Sequence, residues 1–199
     1  KFGINLEMLP ETIEFIKKLK NIELIGLHFH IGSQITDLSA FENLCVRINE
    51  LQDELESKGT SVKNINIGGG LGINYEHPNH MPIADFESYF RVFNKHLRLR
   101  PGQELHCEPG RSVVAQCGTL ITRVTYVKEG TAKKFLIADA GMTDLIRPAM
   151  YDSYHRIENI SSNEPMEIYD VVGPICESSD VFGKDRELNK SKRGDFLAI

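Results

Sequence analysis

Two short stretches carry side chains suited to chemistry on a charged, planar ligand. Glu108-Pro109-Gly110-Arg111 sets an acid and a guanidinium on either side of a rigid turn. A guanidinium suits two-point binding of a carboxylate or phosphate, and a carboxylate can hold a ring nitrogen protonated. A buried ion pair that only ties the turn is the plainer alternative. In Gly173-Pro174-Ile175-Cys176-Glu177-Ser178-Ser179-Asp180 a thiol stands beside a carboxylate in a turn. The thiol offers a proton and the carboxylate a seat for an ammonium group, unless Cys176 is a small buried hydrophobe.

Three further groups fit the same picture. Gly68-Gly69-Gly70-Leu71-Gly72 follows an extended run, and bare glycine backbone can approach and cradle an anion such as phosphate. It lacks the Gly-Lys-Ser/Thr of a P-loop and is not a Gly-x-Gly-x-x-Gly turn, so a flexible turn stays open. His28 and His30 alternate, which in a strand puts them on one side. No third ligand accompanies them, so no metal is expected; one ring is suited to stacking on a flat cofactor and the other to a satisfied core position. Arg147-Pro148-Ala149-Met150-Tyr151 adds a second guanidinium and a phenol.

The elements that must position these groups fall into two halves. Pro10 opens a helix on which Ile13, Ile16 and Leu19 recur, and Phe41, Leu44, Cys45, Ile48, Leu51 and Leu55 form a second helical stripe closed by Gly59. Phe86, Tyr89, Phe90, Phe93 and Leu97 form a third. Between them Glu23–His30, Val62–Ile67 and Leu105–Cys107 read as strands. Alternating strands and helices predict parallel pairing with helical crossovers, and active sites of such barrels are built on the loops after the strands. Beyond about Ala115 the helical period gives way to Thr119–Lys128, Lys134–Asp139, Met166–Val172 and Phe196–Ile199, which predict an antiparallel β domain. The fold class is therefore α/β plus β, with a division at 115/116.

Bulk properties exclude several function classes. The chain has 199 residues, 41% hydrophobic and 26% charged, with net charge −5 and no clustered basic face, which argues against nucleic acid. The one basic run, Lys190–Gly194, reads as a polar turn. Apolar runs are too short to span a bilayer, and the opening Lys1–Leu6 lacks the layout of an export signal. Cys45, Cys107, Cys117 and Cys176 lie far apart without a CxxC pair, which fits reduced thiols in cytoplasm rather than zinc or disulfides.

Taken in order, Gly26-Leu27-His28-Phe29-His30-Ile31-Gly32-Ser33-Gln34, the triple-glycine loop, Glu108–Arg111, Arg147–Tyr151 and Cys176–Asp180 resemble the signatures of the alanine-racemase-like (fold type III) pyridoxal-phosphate-dependent amino-acid decarboxylases. The resemblance covers essentially the whole chain and is strongest to the branch acting on diaminopimelate. It implies the later part of a (β/α)8 barrel over 1–115 and part of a β domain over 116–199. The implied cofactor is pyridoxal 5'-phosphate. His30 would stack on its ring, Glu108 would pair with its pyridine nitrogen, and Ser33, Gly69, Gly70, Gly110 and Arg111 would hold its phosphate. Arg111, Arg147 and Tyr151 would meet a substrate carboxylate, Glu177 the distal amino group, and Cys176 would return a proton after CO₂ leaves. The resemblance further implies a homodimer in which Cys176 serves the partner's cofactor.

The implied reaction is decarboxylation of meso-2,6-diaminopimelate to L-lysine. The alternative is a sister enzyme for ornithine, arginine or carboxynorspermidine. Ornithine enzymes tend to carry Asp after the Cys, where Glu177 stands here. Readings of another class are a cofactor-carrying barrel without chemistry and an unrelated sugar-phosphate barrel; neither needs a Cys-Glu pair. Two departures from the family's pattern are visible. No lysine here has the Val/Ala-Lys-Ala-Asn-like setting of the family's cofactor lysine, and its late phosphate tyrosine has no counterpart. The expectation is about half of a complete enzyme, inactive by itself.

Overall fold

The computed structural model describes residues 2–199; Lys1, with which the opening stretch begins, lies outside them. Two compact units result, and each is built from two separate segments of the chain. The first comprises the residues up to Gly72 together with Ile83–Val113; the second comprises Ile73–Pro82 and Val114–Ile199.

In the first unit, strands β1 (Gly26–His28), β2 (Asn64–Asn66) and β3 (Glu104–His106) pair in parallel in the order β1-β2-β3. Helices α1 (Leu9–Ile16), α2 (Ser39–Ser57) and α3 (Phe86–His96) precede or separate them. The amphipathic stripes explain the helices: Phe41, Leu44, Cys45, Ile48 and Leu55 are all buried on α2, as are Tyr89, Val92 and Phe93 on α3. Phe41 meets Tyr89 edge to face at 4.9 Å, an arrangement that ring quadrupoles favour. The Asp85 side chain accepts a bond from Ser88 N and caps α3. Buried Asn49 donates to the His96 carbonyl at 2.8 Å and accepts from Arg98 N, so it ties the end of α3 to α2. Strands β1 and β2 are shorter than the extended runs in the sequence, and β3 lies one residue earlier than Leu105–Cys107. Helix α1 likewise stops at Ile16, short of Leu19.

The second unit holds one sheet of six strands in the order β6-β9-β4-β5-β7-β8. These are β4 (Ile121–Glu129), β5 (Lys134–Ala138), β6 (Glu158–Asn159), β7 (Met166–Val172), β8 (Val181–Asn189) and β9 (Phe196–Ala198). The expectation of an antiparallel domain needs correction. Strands β5 and β7 pair in parallel, Leu136 opposite Val171, and the remaining pairs are antiparallel. A parallel pair requires a long crossover, which the stretch between Ala138 and Met166 supplies. Short helix α5 (Arg147–Tyr151) lies outside the sheet; α4 (Arg111–Val114) runs from the last residues of the first unit to Val114, where the second resumes. Val124, Leu136, Ala138, Tyr169, Val171, Phe182, Leu188 and Leu197 form the core. Asn159 Nδ2 donates to Ser191 Oγ at 2.7 Å and Ser162 Oγ to the Lys190 carbonyl at 2.8 Å. These bonds tie the β6 edge to the end of β8, so the mixed sheet nearly closes into a barrel. No helix among the described residues is long and apolar enough to cross a membrane.

Candidate active site

The loops that follow β1, β2 and β3 lie side by side because the strands are adjacent and parallel, with His28, Asn66 and His106 in register. Backbone bonds lace them together: Glu108 N donates to the Gly68 carbonyl at 2.7 Å and Ile35 N to the Gly70 carbonyl at 2.8 Å. The glycines are required by this packing. A Cβ on Gly68 would lie 2.3 Å from the Phe29 carbonyl oxygen, one on Gly69 2.3 Å from that of Glu108, and one on Gly70 2.5 Å from that of Gly32. Gly68 and Gly70 also have φ of +69° and +114°. The flexible-turn reading therefore fails; the glycines let three loops converge.

Glu108 reaches this edge with its carboxylate exposed, which rules out a buried ion pair. Asn66 Nδ2 donates to its Oε1 at 2.8 Å, and His28 Nε2 stands 3.5 Å from Oε2. Asn66 Oδ1 in turn accepts from Gly68 N at 2.8 Å, so one amide orients both the acid and the glycine loop. The sequence reading did not single out Asn66. Arg111 Nη2 donates to Ser33 Oγ at 3.0 Å, which joins the loops after β1 and β3. Around Gly110 nothing lies within 4 Å of where a Cβ would start, leaving room beside its backbone. His30 does not share a strand with His28, since β1 ends at His28. Its ring instead lies in the following loop beside Gly68, where an added Cβ would sit 3.2 Å from Nδ1.

The second unit carries the other candidates. Cys176 and Glu177 are both exposed, so the buried-hydrophobe reading of Cys176 is overturned. Their turn is built on Asp180, which is 3% exposed and accepts from Met142 N at 2.6 Å and Ile175 N at 2.8 Å. A Cβ on Gly173 would come within 2.3 Å of that carboxylate, which accounts for the glycine. Glu177 Oε1 accepts from Ser179 N at 3.3 Å and from the hydroxyls of Ser178 and Ser179. The Ser179 backbone bond, then the two hydroxyls, hold its carboxyl below the usual carboxylate range. Arg147 opens α5, with Pro148 in its first turn, and Tyr151 ends it, 67% exposed. Arg147 Nη1 donates to Tyr75 Oη at 2.5 Å. Tyr75 belongs to the inserted stretch Ile73–Pro82, and nothing in its local sequence marks it.

With this geometry in view, the comparisons are specific. The family model described as pyridoxal-dependent decarboxylase, C-terminal sheet domain, matches residues 29–199. A diaminopimelate decarboxylase of Bacteroides thetaiotaomicron is 60% identical over all of this chain and 52% of its own length. The crystal structure of diaminopimelate decarboxylase from Helicobacter pylori complexed with L-lysine superposes with a TM-score of 0.88 at 36% identity, covering 100% of this chain and 48% of that one. A lysine/ornithine decarboxylase from Vibrio vulnificus, complexed with cadaverine, gives 0.87 at 25% identity, over 100% and 54%. The chain spans about half the length of the curated relatives it matches.

Proposed function

The chain belongs to the pyridoxal-dependent decarboxylases, and on that premise we propose that the whole protein decarboxylates meso-2,6-diaminopimelate to L-lysine and CO₂. The observation that carries the reading is the row of groups at the ends of β1, β2 and β3: the carboxylate of Glu108, held by Asn66, and the guanidinium of Arg111, held by Ser33. This donor set fits pyridoxal 5'-phosphate, which needs a carboxylate for its ring nitrogen and cationic, hydroxyl and amide donors for its phosphate. The choice of diaminopimelate rests on the 60% identity to a relative of that name and on Glu177 after Cys176. The lysine/ornithine enzyme, similarly superposable but 25% identical, makes a sister substrate the second reading.

Each residue then has a role. Ser33, Gly69, Gly70, Gly110 and Arg111 hold the phosphate, and His30 lies against the ring. When bound, the cofactor supplies an electron sink for the pair left as CO₂ departs. Glu108, an exposed carboxylate held at one oxygen by Asn66 with the His28 ring near the other, retains the proton on the ring nitrogen. Arg111, Arg147 and Tyr151 bind a substrate carboxylate, and Glu177 binds the distal ammonium group. Its carboxylate is anionic at neutral pH, as that task requires, and its lowered pKa extends that charge to more acid conditions. Cys176, exposed on a turn that Asp180 braces, delivers a proton to the reacting carbon.

The reading includes the architecture of the whole protein. Residues 1–115 form part of a (β/α)8 barrel and residues 116–199 part of the β domain of a cytoplasmic homodimer, with Cys176 serving the partner's cofactor. The protein binds neither nucleic acid nor membrane. The test is CO₂ release by the full-length protein, with pyridoxal phosphate, from diaminopimelate, ornithine, arginine and carboxynorspermidine separately. Release from diaminopimelate with equimolar lysine is expected. Release from another substrate alone selects the sister reading, and release from none overturns both.

A further inference from the structure

We propose that Tyr75 is a positioning residue for Arg147, fixing its guanidinium for a substrate carboxylate. The inference rests on the reading of Arg147 given above and adds to it a residue outside every motif that suggested the site. A free arginine side chain samples many rotamers, and a bidentate carboxylate contact needs one of them. Here a single aromatic residue restricts the guanidinium twice. The phenol oxygen accepts from Nη1 at 2.5 Å, and the guanidinium carbon stands 5.0 Å from the ring centroid, within cation–π range. The hydrogen bond sets the direction of the group, and the neighbouring ring limits where it can swing. A guanidinium has five N–H donors, so one given to Tyr75 leaves enough for a two-point contact.

Tyr75 can act this way only if it is itself held, and it is. Asn74 Oδ1 accepts from Glu76 N at 2.9 Å and His77 N at 3.0 Å, closing a turn around Tyr75. Gln116 Nε2 donates to the carbonyls of Pro78 at 2.8 Å and Met81 at 2.5 Å, which pins the later part of the same stretch. The Tyr75 ring meets that of His155 edge-on at 4.9 Å. Ile73–Pro82 thus belongs to the same compact unit as Arg147, although the residues on either side of it belong to the other.

The experiment uses the full-length enzyme and compares wild type with Tyr75→Phe, Tyr75→Leu, Arg147→Lys and the double variant Tyr75→Leu/Arg147→Lys. KM, kcat, the inhibition constant of L-lysine and cofactor affinity are measured for each. Tyr75→Leu should raise KM and the lysine constant together by about tenfold, with kcat and cofactor affinity within about threefold. Tyr75→Phe, which keeps the ring, should raise KM by about threefold and carries the test if the leucine variant does not fold. In the Arg147→Lys background Tyr75→Leu should add clearly less than it does beside Arg147, because an ammonium has no planar fork to orient. If Arg147→Lys raises KM and neither Tyr75 variant does, the inference fails while the reading of Arg147 stands. If Tyr75→Leu raises KM as much in the Arg147→Lys background, it acts by another route and the inference also fails. If Arg147→Lys leaves KM unchanged, the reading of Arg147 falls, and the inference with it.

Discussion

Glu108 is held by groups that leave its charge available: an amide at one oxygen and an imidazole near the other. Replacing it with Gln keeps the shape and removes the charge that retains a proton on a ring nitrogen. In the full-length enzyme Glu108→Gln should lower kcat by about 100-fold or more, while cofactor affinity changes by only a few-fold, since the phosphate contacts remain. Equal losses in both quantities would make Glu108 a structural residue. Glu177 allows a test by pH. Its folded-state pKa is lowered, so substrate affinity that depends on its charge persists as pH falls and disappears only below the ordinary glutamate range. Replacing both Ser178 and Ser179 with Ala removes the two hydroxyl bonds and should move the acid limb of KM to higher pH; an unchanged limb would separate Glu177 from substrate binding. Glu108, Arg111, Cys176 and Glu177 stood out as candidates because their chemistry is unusual for a turn. Asn66, Asp180 and Tyr75 did not, because common polar types acquire partners only when folding brings them near.

Among the elements, legibility followed length and period. Helices α2 and α3 carry apolar stripes over several turns, and the structure reproduces both closely. Strand β8 escaped notice because Gly183 and the charged run Lys184–Glu187 break any alternation, and Asp185 has φ of +51° at an irregular step. Helix α5 is five residues long and β6 two, too short for any period to show. The parallel pairing of β5 and β7 could not be read either, since strand order is set by non-local packing and both strands look alike locally. The glycine loop gives the prediction at this scale. Gly69→Ala would force the loops after β2 and β3 apart, so cofactor affinity should fall at least about tenfold and stability by about 1–3 kcal/mol. Gly118→Ala, with open space and φ of −126°, serves as the control and should change neither beyond about 0.5 kcal/mol. Unaltered cofactor binding by Gly69→Ala would show that the convergence of the loops is dispensable.

For the whole molecule, the proposed sharing of the site between subunits gives a clean complementation test. Full-length Glu108→Gln and Cys176→Ala should each lose nearly all activity. If Cys176 serves the partner's cofactor, a heterodimer of the two has one site with both groups intact. Random reassortment of equal amounts should then restore about a quarter of wild-type activity, from the two-fold symmetry of the pair. If Cys176 serves its own subunit, every site in the mixture lacks one group and no activity returns. The interleaving of the two units has a consequence for how the chain can be made and dissected. The chain leaves the first unit at Gly72, returns to it at Ile83, and leaves again after Val113. On the ribosome Ile73–Pro82 therefore emerges well before the rest of the unit it belongs to, so Tyr75 and the Met81 carbonyl wait for Arg147 and Gln116 to be synthesised. No single cut separates the units. A chain ending at Val113 would retain a strap with nothing to fasten to, and one beginning at Val114 would retain the fastenings without the strap.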